Sequence, residues 1–130
     1  MRTATIQAVA TAMLASSAAF ASDVRHSGFP KSVVGVWAPS AEACKDAAKS
    51  VVTLSAKTYV SSETSCAVDW VNETASARGP DYSAHMQCSK PSGPAQKVVA
   101  NLIVRPKDSN QISAGPDFDN LKVYQRCSTK

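Results

Sequence analysis

Cys66-Ala67-Val68-Asp69-Trp70-Val71-Asn72 and Tyr82-Ser83-Ala84-His85-Met86-Gln87-Cys88-Ser89 both alternate apolar and polar residues. Successive side chains of a strand point to opposite faces. Cys66, Val68 and Trp70 therefore share one face, opposite Ala67, Asp69 and Val71. Tyr82, Ala84, Met86 and Cys88 share a face opposite Ser83, His85 and Gln87. Between the runs lies the loop 73–81, in which Arg78-Gly79-Pro80-Asp81 is a strong turn signal. Folding the runs into a hairpin centred near Ala77 sets Cys66 across from Cys88, Val68 from Met86 and Trp70 from Ala84. Cross-strand Cβ atoms in such a pair lie within reach of a disulfide.

Outward from this hairpin the same grammar continues. Val33–Trp37 reads as a strand ended by Pro39. Val51–Leu54 and Thr58–Ser61 flank a turn at Ser55-Ala56-Lys57. Ala95–Arg105 carries Val98, Ala100, Leu102 and Val104 on one face. Pro91–Pro94, Pro106–Asn110 and Gly115–Asp117 are turn signals, and Gln111–Ala114 is a short strand. In the last strand, Leu121–Cys127, polarity puts Leu121, Val123 and Cys127 inward and Lys122, Tyr124 and Arg126 outward. Ser40–Lys49 reads as the one short helix. Ser40 is a suitable N-cap, and Ala41, Cys44, Ala47 and Ala48 recur at helical spacing. Short strands separated by Gly/Pro turns predict a mainly antiparallel all-β domain of about seven strands and one helix. An up-and-down barrel or curled sheet is the first reading and a two-sheet sandwich the second.

The first 21 residues carry Arg2, a diluted apolar run and Ala19-Phe20-Ala21, the pattern of a secretory signal peptide cleaved after Ala21. The run is too short for a membrane span, which needs about 20 apolar residues. Residues 22–32 are polar and read as a flexible leader, with residues 33–130 as a single domain. The expected location is periplasmic or secreted. Cys44, Cys66, Cys88 and Cys127 all follow the signal, an even count that implies two disulfides. The hairpin register and an up-and-down order favour Cys66–Cys88 with Cys44–Cys127. A hairpin turning near Ser55 would instead favour Cys44–Cys66 with Cys88–Cys127.

Chemical signatures are sparse. The formal charge of +4 is mild, and Lys and Arg are scattered without a run of three, which argues against nucleic acid as a partner. No C-x-x-C, G-x-S-x-G or phosphate-loop motif occurs, so no metal and no cofactor is expected. Asp117-Phe118-Asp119-Asn120 is too short a ligand series for a calcium loop. His85 and Asp69 fall on the outer face of paired strands, where one could serve as a general base beside the other. Trp37 and Trp70 fit core positions, or one of them lines a barrel mouth that holds a small apolar ligand. Tyr82 and Arg78 are further candidate contact residues.

The order Gly35-x-Trp37-Ala38-Pro39, Cys44, Cys66, Cys88 and Tyr124-x-Arg126-Cys127 resembles small secreted alphaproteobacterial proteins of unknown function. That resemblance implies a two-disulfide exported domain and transfers no catalytic residue. Size, compartment and the early Gly-x-Trp are also similar to periplasmic inhibitors of proteases and lysozymes. The expectation is an exported, non-enzymatic binding or inhibitor-like domain whose partner is a periplasmic or extracellular protein or a small ligand. The alternatives are a small secreted hydrolase using His85 and Asp69, and an envelope protein binding acidic glycan or lipid.

Overall fold

The computed structural model describes residues 23–46, 50–90 and 96–128. The proposed signal peptide, the turn at Pro91–Pro94 and the end of the proposed helix lie outside them. Nine strands form among the described residues: β1 (Val24–His26), β2 (Gly35–Ala38), β3 (Val52–Leu54), β4 (Thr58–Val60), β5 (Ser65–Ser76), β6 (Gly79–Ser89), β7 (Val98–Asp108), β8 (Gln111–Gly115) and β9 (Lys122–Arg126). From β2 to β9 each strand pairs antiparallel with the next, and β9 returns to pair with β2. The result is a closed, eight-stranded up-and-down barrel, so the sandwich reading falls. Closure leaves no continuous unpaired edge.

β1 is the extra strand. β5 is long enough for its first half, residues 65–67, to pair with β4 and for residues 71–73 to pair with β1. Arg25 Nε donates to Asn72 Oδ1 at 3.2 Å and Thr74 Oγ1 to Asp23 Oδ1 at 2.9 Å. The expectation of a loose leader over residues 22–32 is therefore corrected. The chain then crosses one end of the barrel. Phe29 N donates to Ala56 O at 2.8 Å, and Phe29 and Val33 are buried there as a plug. Gly28 makes the crossing close enough, since a Cβ would sit 2.1 Å from Ala56 O.

No helix occurs among the described residues. Ser40 Oγ does accept from Ala43 N, at 3.1 Å, as a cap would. Lys45 N→Glu42 O and Asp46 N→Ala43 O follow, so residues 40–46 form tight turns. An apolar face of Ala and Cys gives too little packing to offset helix nucleation. Cys44 bonds to Cys127, and Cys66 bonds to Cys88, as the favoured pairing requires.

The central hairpin runs further than its turn signal indicates. Ser76 pairs with Gly79, so Ala77 and Arg78 alone form the turn, and Pro80 lies within β6. β7 likewise carries Pro106 paired with Ile112, and turns only at Ser109 and Asn110. In β5 the register holds from Cys66↔Cys88 to Val68↔Met86, then shifts to Trp70↔His85 and Val71↔Ala84. Asp69 is the extra residue of a β-bulge, so Val71 takes the inward place and is fully buried. Trp70 is turned to the outer face, against the expectation that it lies opposite Ala84.

β9 is also reversed relative to expectation. Lys122 pairs with Ala114 and Tyr124 with Ile112, and both partners are buried inward. Lys122, Tyr124 and Arg126 thus face inward, and Val123 is 52 % exposed. Polarity misassigns this strand because long amphipathic side chains fit the ends of a small barrel, stem inside and head at the rim.

Candidate functional site

The connections β2–β3, β4–β5, β6–β7 and β8–β9 share one end of the barrel, opposite the Phe29 plug. A cavity of about 320 Å³ enters the barrel from that end. Its walls are the aliphatic side chains of Val52, Leu54, Met86, Leu102 and Ile112, with the Cys66–Cys88 disulfide and the rings of Tyr59 and Tyr124. Thr64, Asn120 and Lys122 line its mouth. Most wall residues, such as Val52 and Leu54, Cys66, and Met86 and Cys88, are alternate, inward positions of their strands. The barrel keeps this space because Ala100 and Ala114 occupy two inward positions where larger residues would meet.

The cavity is of the size and character of a small-molecule site, apolar with few polar groups. Lys122 is the one charged residue lining it among the described residues. A second, more polar hollow of about 270 Å³ adjoins it across Tyr59, Lys122 and Tyr124, and holds Ser61, Ser62 and Glu63. Burial pushes the Tyr59 phenol above its ordinary value of 10.0, with the charges of Tyr124 and Glu63 acting the same way and a hydrogen bond to Ser61 opposing them. Tyr59 therefore presents a neutral hydroxyl beside the cavity.

On the outer wall the bulge gathers a separate group. His85 Nδ1 lies 3.0 Å from Asp69 Oδ2, and Gln87 Nε2 donates to the same oxygen at 3.4 Å. Trp70 stacks on the His85 ring, centroids 4.1 Å apart and planes 4° apart. The Arg25 guanidinium lies 4.7 Å from the Trp70 ring centroid. β1 and β6 flank β5 on opposite edges, so Trp70 is held between Arg25 and His85. The expected meeting of His85 and Asp69 occurs, but on the convex outer wall. No hydroxyl or thiol is hydrogen-bonded to the imidazole among the described residues.

The other sequence candidates are dispersed. Trp37 is fully buried, with Nε1 donating to Val33 O at 3.0 Å, so it belongs to the core and not to a mouth. Tyr82 faces inward near the plugged end and is buried. Arg78 is exposed at the hairpin turn. Cys66 and Cys88 line the cavity, whereas Cys44 and Cys127 fasten the 40–45 segment to the outside of β9. Tyr124 and Lys122 are cavity residues that polarity alone sends outward; the inward Ile112 and Ala114 opposite them were the signal available. No protein family, curated protein or solved structure matches the chain.

Proposed function

We propose that the protein is exported to the periplasm or the medium and there binds a small apolar-bodied ligand inside its barrel, without catalysing a reaction. The observation that carries this reading is the aliphatic cavity of about 320 Å³, open at one end and plugged by Phe29 and Val33 at the other. Two disulfides fit an oxidising compartment and hold the barrel closed around that space. The disulfide-bonded cysteines have no free thiol to offer. The His85–Asp69 pair supports β1 through Trp70 and Arg25, which accounts for its geometry without a substrate.

A cavity-filling variant tests the reading. Ala100 faces inward and lines the cavity, so Ala100→Trp places an indole in the space. The oxidised wild-type chain should enhance the fluorescence of the neutral probe N-phenyl-1-naphthylamine saturably at one probe per chain, and the variant should not. Equal enhancement by the two proteins, or none by the wild type, sinks the proposal.

A further inference from the structure

Resting on the cavity-binding reading, we infer that the occupant is an anionic amphiphile, with an aliphatic tail in the barrel and its single negative head on Lys122. The cavity wall is chiefly aliphatic and sulfur-bearing, which suits a flexible chain better than a planar ring. A methylene is about as large as a water, whose share of liquid volume is about 30 Å³, so a volume of about 320 Å³ holds a tail of roughly ten heavy atoms.

The head is assigned by charge. Lys122 begins β9 at the mouth, paired with Ala114, and faces inward by register. No carboxylate lines the cavity among the described residues, and none of them forms an ion pair with Lys122. Glu63 lines the adjoining hollow with Lys122 but does not approach it as an ion pair. Of the two acids in the β8–β9 connection, Asp117 accepts from both Asn120 Nδ2, at 2.8 Å, and Asp119 N, at 2.9 Å, so its carboxylate is engaged within its own turn, and Asp119 lines neither the cavity nor the adjoining hollow. An ammonium at the edge of an apolar space attracts an anionic head and repels a cationic one. A neutral head gains much less there.

Calorimetry on the oxidised full-length domain separates the two levels of the argument. Octanoate, decanoate, decanol and decyltrimethylammonium are titrated below their aggregation concentrations. Decanoate should bind about tenfold more tightly than decanol, and the cation should bind most weakly. Each methylene should tighten binding about fourfold up to roughly ten carbons. Lys122→Met keeps the stem and removes the charge. It should bring decanoate down to the affinity of decanol and leave decanol unchanged. Decanol binding as tightly as decanoate, or decanoate unaffected by Lys122→Met, overturns the anion assignment while the cavity reading stands. No binding by any of the four overturns both.

Discussion

The guanidinium of Arg126 lies over the ring of Trp37, 4.3 Å from its centroid, at the plugged end of the barrel. From there it donates to Val34 O, Ser32 O and Ser109 O, each at 2.8 Å. Three segments that sequence separates, namely the plug with the start of β2, the β7–β8 turn and the end of β9, are thus joined by one side chain. Gly35-x-Trp37 and Tyr124-x-Arg126-Cys127, the two most distinctive parts of the sequence, are two halves of one contact. Cys127, the next residue, donates its N–H to Val36 O and bonds to Cys44, so the same place is closed covalently.

Replacing Arg126 with Met should therefore destabilise the domain by about 2–4 kcal/mol, from charge-assisted hydrogen bonds and the cation–π contact together. Arg126→Lys should recover less than half of that, because an ammonium cannot reach three carbonyls while stacking on an indole. Urea unfolding of the three oxidised proteins measures it. A lysine variant as stable as the wild type would contradict the assignment.

Gly35 is the other partner of this contact. Its φ is +154°, and a Cβ there would lie 2.4 Å from Arg126 Nη1. Gly35→Ala must displace the guanidinium, at a cost of about 1–3 kcal/mol. In the Arg126→Met background the clash is gone and only backbone strain remains. A double-mutant cycle should show the two changes to be less than additive. Strict additivity would mean that Gly35 is required for its backbone alone.

How far the sequence reveals this architecture depends on the strand. The runs 66–72 and 82–89 alternate, and a hairpin with a Cys66–Cys88 bridge follows from them directly. Alternation cannot show a bulge, since one added residue preserves both apolar sets while exchanging Trp70 for Val71 as the inward residue. Nor does it decide β9, where Lys122, Tyr124 and Arg126 look like a wet face and in fact line the mouth, wall and floor of the barrel. The cavity was illegible for the same reason. It exists because of which residues are absent from inward positions, and only the pairing register reveals that.

The two disulfides should differ in their worth. Cys44–Cys127 spans 83 residues and Cys66–Cys88 spans 22. Chain entropy gives about 4.5 kcal/mol for the longer loop and about 3.4 kcal/mol for the shorter. The Cys44→Ala/Cys127→Ala protein should thus melt below the Cys66→Ala/Cys88→Ala protein. The second pair, whose sulfurs line the cavity, should alter probe binding while the first does not. A reversed order of melting would show that strain or packing outweighs loop closure here.

Alkaline pH should expose the tyrosines. Burial raises the Tyr82 phenol above 10.0, aided by the charge of Glu73 and a hydrogen bond to it and opposed by a hydrogen bond to Ser32; burial likewise dominates at Tyr59. Between the unfolded and folded values the native state holds the phenolic protons more firmly than the unfolded chain. Their contribution is complete below pH 10.0 and declines as pH rises through the folded values. Denaturation free energy measured against pH should fall across that window. The fall should be shallower in Tyr59→Phe and in Tyr82→Phe. Identical slopes in all three proteins would remove the tyrosines as the cause.

The bulge makes the sharpest prediction, because deleting one residue should leave the fold intact while deleting its neighbour should not. Without Asp69, Val68 is followed by Trp70 and Val71, and ordinary alternation keeps Cys66, Val68 and Val71 inward with Trp70 outside. The deletion removes the bulge and the hydrogen bonds to His85 and Gln87, which costs about 1–2 kcal/mol. Deleting Ala67 instead carries Val68 outward and Asp69 inward, which sets a carboxylate inside the barrel in place of a buried valine. The Asp69-deleted protein should unfold cooperatively with Cys66 still linked to Cys88 and with Trp37 still shielded from quenchers. The Ala67-deleted protein should lack a cooperative transition. If the two deletions were equally damaging, Asp69 would not be the inserted residue, and the outward placement of Trp70 would need another cause.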